Sequence, residues 1–403
     1  MMEKNELPKG WELKKLGEVC EIIMGQSPPS DTYNVNGQGL PFFQGKAEFT
    51  ELYPVAQKWC KSPNKIAEPN DILLSVRAPV GTTNIANQKC CIGRGLAAIR
   101  YENYKFVFYF LRSIERELDE KGTGTTFRAI SGETIRATEI PLPPLPEQHR
   151  IVAKIEALFS QLDNGIAQLK TAQAQLKVYR QAVLKWAFEG RLTNKDVQEG
   201  ELPEGWKWVK LGEACKNVEY GSAAKSKETG KIPVLRMGNI QGGRFDWSDL
   251  VYTNDEAEIS KYILRKDDVL FNRTNSPELV GKTAIYKGER PAIFAGYLIR
   301  INRIEEMLDG NFLSYFLNSE FAKQYGNSVK TDGVNQSNIN GQKLKNYPLP
   351  LPPLPEQHRI VQEIESRLSV CDKLEETIAQ ALQQSEALRQ SILKRAFEGR
   401  LVK

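Results

Sequence analysis

The chain has 403 residues, of which 40% are hydrophobic and 26% are charged, a composition typical of a folded protein of two or three domains. Its formal net charge of +5 is compatible with a polyanionic partner but too small to indicate one. No apolar run approaches the roughly 20 residues that a membrane helix needs, and residues 1–11 contain no apolar core of a secretory signal. We therefore expect a cytoplasmic protein that does not associate with membranes.

Six cysteines are spread along the chain without a CxxC pair or the regular spacing of a disulfide framework. Disulfides are rare in the cytosol, so we expect all six to be reduced and structural. They are Cys20, Cys60, Cys90, Cys91, Cys215 and Cys371.

The most informative feature of the sequence is an internal repeat, which indicates a duplicated architecture. Three marks occur twice in the same order, and the segments between them are either closely similar or widely different. Variable and shared segments therefore alternate along the chain. The marks are the openings LPKGWELKKLGEVC at 7–20 and LPEGWKWVKLGEAC at 202–215, PLPPLPEQHRIV at 141–152 and 350–361, and AFEGRL at 187–192 and 396–401.

Taken in chain order, the repeat predicts a globular domain over residues 1–145, a helix over 146–190, a second globular domain over 200–354 and a second helix over 355–399. The globular parts mix short β-type runs with aromatic helical stretches and turns rich in glycine, asparagine and threonine. We predict two mixed α/β domains in a fold of the α+β class. The β-type runs are 72–76, 269–272 and 298–301, and the helical stretches are 106–118 and 312–325.

Both predicted helices carry apolar or small residues in alternating four-three spacing, from Ile151 to Trp186 in the first and less regularly from Ile360 to Ile392 in the second. This spacing is a heptad seam, which predicts that each helix packs against a partner helix. Connectivity favours an antiparallel coiled coil of the two, which would give the repeat a pseudo-two-fold relation. Independent helices in separate bundles remain the alternative.

Proline and glycine mark the ends of the predicted helices. Pro146 and Pro355 suit a first helical turn, where proline loses no hydrogen bond. Gly190 and Gly399 suit the position after the last turn, where the backbone often takes the left-handed conformation.

The duplicated marks resemble those of the specificity subunits of type I restriction–modification systems. The resemblance covers essentially the whole chain and includes the loop segments FFQGKAEF at 42–49 and LRMGNIQGG at 235–243. It implies that each globular domain is a target recognition domain that reads one half of a split, asymmetric sequence in double-stranded DNA. It also implies that the helices set the gap between the halves and dock two copies of an adenine methyltransferase subunit.

The same resemblance implies how chemistry is divided in such a complex. Restriction subunits, which combine motor and nuclease, would join the core formed with the methyltransferase. S-adenosylmethionine would be bound by the methyltransferase subunits, and this chain would hold no cofactor. Its expected role is therefore non-catalytic DNA binding.

Side chains that read base edges are mainly Arg and Lys on guanine and Asn and Gln on adenine. Such residues, with Ser and Thr, cluster in the turn-rich segments of both domains, although plain turns would show the same composition. The candidates are Gln44, Lys46, Ser75, Arg77, Arg94, Thr125, Thr126 and Arg128 in the first domain, and Arg236, Asn239, Arg244, Asn272, Arg273, Thr274, Asn275, Lys330, Asn335 and Gln336 in the second.

At three landmarks the two copies carry different side chains in equivalent places, as expected of positions that set specificity. The pairs are Gln44 with Arg236, Ser75 with Asn272, and Arg128 with Ser337.

The repeated helix starts are the expected contacts with a partner subunit, because their near identity exceeds what a heptad seam alone requires. The expected partner-binding residues are Glu147, Gln148, His149 and Arg150, and Glu356, Gln357, His358 and Arg359.

No catalytic or metal site is predicted. The only histidines, His149 and His358, stand at equivalent scaffold positions, which argues against a Ser–His–Asp triad or an HExxH zinc site. Residues 281–283 resemble the end of a phosphate-binding loop, but Ser276 replaces the first glycine of that motif. Two alternatives stay open, namely a two-domain protein–protein scaffold without DNA binding and an enzyme with its own DNA recognition. The enzyme would need an NPPY-type tetrapeptide or a glycine-rich cofactor loop, and the sequence has neither.

Overall fold

The computed structural model describes residues 7–124, 128–194, 196–198 and 200–402. The chain forms two compact units: unit 1 comprises Met1–Lys170 and Ala379–Lys403, and unit 2 comprises Thr171–Ile378. Each unit contains one mixed α/β domain together with parts of both long helices. The predicted fold class is confirmed, and the division between the units runs through the long helices.

Unit 1 is built from short strands followed by helices. Its strands are β1 (Glu12–Lys15), β2 (Glu21–Met24), β3 (Tyr33–Asn34), β4 (Leu40–Phe43), β5 (Trp59–Cys60), β6 (Ile66–Ala67), β7 (Ile72–Ser75), β8 (Thr83–Ile85), β9 (Cys90–Ile92), β10 (Leu96–Arg100) and β11 (Glu139–Leu142). Its helices are α1 (Leu16–Val19), α2 (Tyr104–Ser113), α3 (Glu115–Glu120), α4 (Gly132–Ala137) and the first part of α5 (Leu145–Phe188).

Two sheets form the body of this domain. The antiparallel sheet has the order β2-β10-β7-β8, and the second sheet has the order β3-β5-β4-β9-β6 with a parallel β4–β9 pair. Strand β1 pairs with β11 and so brings the chain start beside the lead-in to α5. Strand β7 is buried along its whole length, which explains why it reads as an unbroken apolar run in the sequence.

Unit 2 repeats this plan with added strands. Its strands are β12 (Lys207–Lys210), β13 (Cys215–Tyr220), β14 (Ile232–Leu235), β15 (Ile240–Gln241), β16 (Arg244–Phe245), β17 (Val251–Thr253), β18 (Val269–Asn272), β19 (Thr274–Asn275), β20 (Thr283–Ile285), β21 (Ile293–Phe294), β22 (Leu298–Arg303), β23 (Thr331–Asp332), β24 (Ser337–Asn338) and β25 (Pro348–Leu351). Its helices are α6 (Glu256–Tyr262), α7 (Gly310–Leu317), α8 (Glu320–Val329), α9 (Gly341–Lys345) and the first part of α10 (Leu354–Phe397).

The sheets of unit 2 correspond to those of unit 1. The order β13-β22-β18-β20 matches β2-β10-β7-β8, the parallel pair β14–β21 matches β4–β9, and β12–β25 matches β1–β11. A three-stranded sheet, β19-β24-β23, and a hairpin, β15–β16, complete the unit. The predicted β-type runs are confirmed as β7, β18 and β22.

Each predicted aromatic helix is in fact two helices. The stretch 106–118 divides at Ile114 into α2 and α3, and the stretch 312–325 divides before Ser319 into α7 and α8. The Ser319 hydroxyl accepts a hydrogen bond from the amide of Ala322 at 3.3 Å, which caps α8 and fixes the break. Both predicted stretches are therefore helical, each with one break.

The long helices end as the sequence predicts. Gly399 has a φ of 68°, and the amide of Arg400 donates to the carbonyl of Arg395 at 2.8 Å, a Schellman closure. A Cβ on Gly399 would lie 2.1 Å from Cγ of Pro8. In unit 2 a Cβ on Gly190 would lie 2.2 Å from Cγ of Pro203. Each AFEGRL end therefore lies against the opening of the domain in its own unit.

Aromatic side chains fix each helix end to its domain. In unit 1 the ring of Phe397 lies 5.2 Å from that of Phe106 and 5.4 Å from that of Phe110, both edge-on. In unit 2 Phe188 meets Phe312 and Phe316 in the same way, at 5.2 and 5.3 Å. Within each unit, therefore, the end of one long helix packs against the domain from which the other long helix begins.

The pairing of α5 with α10 is less apolar than the heptad spacing predicts. Leu374 and Leu388 of the expected seam are 46% and 51% exposed. In unit 2 Arg180 lies 2.6 Å from a carboxylate oxygen of Asp372 and 3.1 Å from one of Glu375. The neighbour of Leu374, Glu375, therefore faces α5 in its place.

All six cysteines are free and buried. Burial raises the pKa of the thiols of Cys20, Cys90, Cys91 and Cys215 to about 12. They pack as small apolar side chains and hold no reactive thiolate at neutral pH. Across the described part of the chain, no helix combines the length and apolar character needed to cross a bilayer.

Candidate nucleic-acid interface

Four segments of unit 1 meet at one end of the sheet β2-β10-β7-β8. The amide of Val76, which follows β7, donates to the carbonyl of Gly95 at 2.9 Å, and the amide of Ile130 donates to the carbonyl of Val76 at 3.0 Å. The amide of Gly93 donates to the carbonyl of Phe43 at the end of β4, at 2.8 Å. Segments from four parts of the sequence therefore form one junction.

Most candidates of the first domain lie on or beside this junction with accessible side chains. Arg128 is held by an ion pair with Asp119 at 3.3 Å, yet its side chain remains 53% exposed. Thr125 and Thr126 lie outside the described residues. The exposed candidates are Gln44, Lys46, Arg77, Arg94 and Arg128.

Ser75 does not fit the role given to it from the sequence. Its side chain is 1% exposed, and its hydroxyl donates to the carbonyl of Arg77 at 2.9 Å. A buried hydroxyl that is already paired has no free atom for a base edge. Ser75 instead shapes the turn that presents Arg77.

Unit 2 builds the same junction from equivalent backbone contacts. The amide of Arg273 donates to the carbonyl of Tyr297 at 3.0 Å, and the amide of Ile339 donates to the carbonyl of Arg273 at 2.9 Å. The amide of Ala295 donates to the carbonyl of Leu235 at 2.9 Å. These contacts agree with the three predicted pairings. The equivalent positions in unit 2 and unit 1 are Arg236 and Gln44, Asn272 and Ser75, and Ser337 and Arg128.

The candidates of the second domain divide by exposure. Asn239 and Asn272, at 2% and 0% exposure, are too buried to contact DNA, so these two predictions are wrong. The amide of Asn239 accepts from the backbone of Arg236 at 2.8 Å and donates to the carbonyl of Asp249 at 2.8 Å, so it holds the loop. The exposed candidates are Arg244, Asn335 and Gln336, and the half-buried ones are Arg236, Arg273, Thr274, Asn275 and Lys330.

Two tyrosines beside the junction were missed in the sequence. The guanidinium of Arg273 lies 4.8 Å above the ring of Tyr220, and one of its nitrogens donates to the carbonyl of Gly296 at 3.2 Å. Tyr220 and Tyr297 are 41% and 49% exposed. Arginine stacks on aromatic faces and serves nucleic-acid recognition, and exposed aromatic rings can stack on bases. The sequence signal that could have identified such a residue is a tyrosine at the end of a strand and next to a glycine, as Tyr220 is.

The expected partner-binding glutamines are structural. Gln357 is fully buried; its amide donates to the carbonyls of Met307 and Pro352, both at 2.9 Å, and accepts from the backbone amide of Asp309 at 2.8 Å. These bonds tie the start of α10 to its own domain. Gln357 is therefore withdrawn as a partner contact.

Gln148 occupies the same place in unit 1. Its side chain is 2% exposed and donates to the carbonyl of Pro143 at 2.9 Å and to the hydroxyl of Tyr101 at 3.2 Å. Its amide oxygen is buried without a hydrogen-bond partner in the described part of the chain. Gln148 is likewise withdrawn, and part of the repeated sequence is explained by a repeated internal clamp.

Replacing the two glutamines should have unequal effects. Gln357→Ala removes the side-chain partner of three backbone groups, one of them buried and two half-buried, and should lower the free energy of unfolding by about 3 kcal/mol, whereas Gln148→Ala loses two bonds and should cost about 1–2 kcal/mol. Peptide-resolved hydrogen exchange of the full chain measures this, with faster exchange over 298–317 for Gln357→Ala and over 96–113 for Gln148→Ala. Equal effects, or no change in either region, would contradict the assignment.

The glutamates at the helix starts also face inward. Glu147 accepts from the indole of Trp11 at 3.2 Å. Glu356 is 6% exposed and is bonded to the hydroxyl of Thr193 and to Arg359. The exposed members of the two sets are His149, Arg150, His358 and Arg359. Among the described residues no cluster of histidine, cysteine and carboxylate side chains is suited to a metal ion.

Two segments of the chain, 8–174 and 203–384, match the family described as the type I restriction modification DNA specificity domain. Together they cover most of the chain. The chain belongs to this family. The duplicated match agrees with the duplicated junction, and the predicted resemblance is confirmed.

Relatives of this family differ in how much of the chain they match. A putative type I restriction enzyme MjaX specificity subunit of Methanocaldococcus jannaschii is 41% identical over 48% of this chain and 46% of its own length. The StySPI specificity subunit of Salmonella potsdam is 28% identical over 99% of this chain and 91% of its own length. The EcoKI specificity subunit of Escherichia coli strain K12 is 27% identical with the same coverage.

Solved structures share the fold. A chain from a study of complex assembly and conformational transition of the type I R-M system superposes with a TM-score of 0.75 at 24% identity, covering 98% of this chain and all of the other. The HsdS subunit from Thermoanaerobacter tengcongensis gives a TM-score of 0.66 at 23% identity, covering 98% and 99%. Both chains therefore have the same fold as this chain.

Proposed function

We propose that this type I specificity subunit reads a bipartite DNA target, with each globular domain contacting one half. One observation carries the proposal. The same four-segment junction is built in both units from equivalent backbone hydrogen bonds, while the side chains presented there differ. Such a pattern is expected of one scaffold adapted to two base sequences.

The differences at the junction are chemical and not only steric. Where unit 1 presents the amide of Gln44, unit 2 has the guanidinium of Arg236, whose side chain is 36% exposed and pairs with Asp249 at 2.9 Å. Where unit 1 has the buried Val76, unit 2 has the half-buried Arg273. Amides favour adenine and guanidinium groups favour guanine. Two unlike half-sites follow from this contrast.

We propose further that α5 and α10 set the gap between the half-sites and dock two methyltransferase subunits, with restriction subunits joining that core. The exposed His149, Arg150, His358 and Arg359 remain the proposed contacts at the helix starts. Methylation and cleavage would belong to those partners, and S-adenosylmethionine would be bound by the methyltransferase subunits. The relatives are named as specificity subunits, which supports a non-catalytic role for this chain.

Salt-dependent DNA binding tests the proposal against a protein scaffold without DNA binding. For the full chain assembled with its methyltransferase subunits, six to ten phosphate contacts would reduce affinity for duplex DNA by about 10³–10⁵-fold between about 50 and 200 mM salt. If Arg77 or Arg94 contacts a phosphate, its replacement by alanine should reduce the salt slope by about one. Filter binding over this range measures it.

The matched control is Lys89→Ala, because the side chain of Lys89 is 51% exposed but the residue precedes β9, at the opposite end of that strand from Gly93 of the junction. It should leave the salt slope unchanged. Weak binding that does not depend on salt would contradict DNA recognition and favour the scaffold.

A further inference from the structure

A β-hairpin of unit 2, formed by β23 and β24, is the most exposed part of the junction. Every residue from 331 to 336 is exposed, and the side chain of Val334 at its turn is 100% exposed. Single exposed apolar residues are common on protein surfaces. Val334, however, has no packing partner although it lies at the tip of an ordered hairpin, so the residues around it are described next.

The base of this hairpin is firmly held. Strand β24 pairs with β19 and β23, and the amide of Asn338 donates to the hydroxyl of Thr274 at 2.7 Å. The ammonium of Lys343 donates to the hydroxyl of Thr331 at 2.6 Å. At the turn the amide of Gly333 donates to the carbonyl of Gln336 at 2.7 Å. The backbone is therefore preorganised up to the tip.

The side chains of the tip are free. Within the described part of the chain, the amide groups of Asn335 and Gln336 make no hydrogen bond, and Val334 touches no core. The hairpin's one acid, Asp332, is bonded to the hydroxyl of Ser337 and lies 3.8 Å from the ammonium of Lys330, so its charge is offset. A polyanion could approach this tip without repulsion.

The chemistry of the tip matches one kind of base pair. In the major groove adenine offers N7 as an acceptor and its N6 amino group as a donor, which an Asn or Gln amide binds in a bidentate manner. Thymine alone adds a 5-methyl group, which takes an apolar contact. A two-stranded β-ribbon is narrow enough to enter that groove. An amide beside an exposed valine is therefore complementary to an A·T pair, and a G·C pair offers no methyl group to the valine.

We propose that residues 334–336 read an A·T pair in the major groove of the second half-site, with the amide of Asn335 or Gln336 on adenine and Val334 on the thymine methyl group. This inference rests on the proposed function and adds a base identity to it. The equivalent positions of unit 1, 125–127, lie outside the described residues, so the inference concerns the second half-site.

Base analogues test the inference atom by atom. The full chain, assembled with methyltransferase subunits, is titrated with duplexes that carry its mapped split motif. In these duplexes single thymines are replaced by uracil, which lacks the methyl group, or single adenines by 7-deazaadenine, which lacks N7. At one A·T pair of the second half-site, uracil should weaken binding about fourfold and 7-deazaadenine about tenfold. Base analogues in the first half-site should change the affinity of the unchanged chain and of hairpin variants equally.

Variants then assign each atom to its side chain. Val334→Gly should remove the sensitivity to uracil, whereas Val334→Thr, which keeps one methyl group, should retain most of it. Either Asn335→Ala or Gln336→Ala should remove the sensitivity to 7-deazaadenine at the same pair. All four changes lie at a solvent-exposed turn, so the fold should tolerate them.

Two results would overturn the inference. In the first, the chain binds the split motif specifically, but the hairpin variants respond to the base analogues as the unchanged chain does at every A·T pair of the second half. That result would leave the proposed function standing and reject base recognition by residues 334–336. A uniform loss of affinity in the variants for all duplexes, with a smaller salt slope, would make the hairpin a phosphate contact. Absence of any specific split motif would contradict the proposed function itself.

Discussion

Phe397→Ala should lower the free energy of unfolding of unit 1 by about 3–5 kcal/mol and leave unit 2 unchanged. The ring of Phe397 is 1% exposed and lies edge-on to Phe106 and Phe110. Removing it opens a cavity in the core of unit 1 and breaks the contact between the end of α10 and the first domain. Peptide-resolved hydrogen exchange of the full chain should show faster exchange over 96–113 but not over 298–317.

Phe188→Ala is the matched variant, because Phe188 makes the same contacts with Phe312 and Phe316 in unit 2. It should reverse the pattern, with faster exchange over 298–317 alone. Leu388→Ala provides the surface control, since Leu388 is 51% exposed and its replacement should change stability by no more than about 0.5 kcal/mol. If Phe397→Ala loosens both units or neither, the end of α10 does not belong to the first domain as described.

These contacts explain why the last turn of α10, far along the chain, is part of the first domain. The edge-on rings of Phe397, Phe106 and Phe110 lie within one hydrophobic core with Trp11 and Ile140. Any exchange of the first domain must therefore keep an aromatic surface for Phe397. It must also keep the bond from the indole of Trp11 to Glu147.

The features that the sequence predicted well are periodic or local. The repeated marks, the two long helices and their glycine stops depend on residues close together in the chain. Gly399 adopts its positive φ because its own helix ends there, and no distant residue is needed to infer it. The heptad seam was less reliable. Leu374 and Leu388 fit the spacing but are about half exposed, whereas Arg180 pairs with Glu375, a contact between residues far apart in the sequence.

The features that the sequence could not predict depend on long-range partners. Gln357 looks like an exposed helix-start amide until Met307 and Asp309, some fifty residues earlier, are brought beside it. Asn239 is of a residue type that reads bases, yet its side-chain amide is hydrogen-bonded to the backbone of its own loop. The stacking of Arg273 on Tyr220 joins the end of β13 to the residue between β18 and β19, which are far apart in the sequence. Residue type alone cannot separate an amide that binds DNA from one that binds its own backbone.

The central claim, that each domain reads one half of a split target, is tested most directly by domain exchange. Residues 1–145 are replaced by the corresponding domain of a specificity subunit with a different target, with the contacts of Phe397 and Trp11 preserved. Methylated adenines are then mapped across the genome of cells that carry the exchanged chain. The reciprocal exchange of residues 200–354 is the matched control.

We predict a split methylation motif in which only one half changes in each exchange, while the other half and the gap persist. The two exchanges should change opposite halves. A motif that stays unchanged, or one in which both halves change together in a chain that still folds and assembles, would contradict the claim that the two domains read separately.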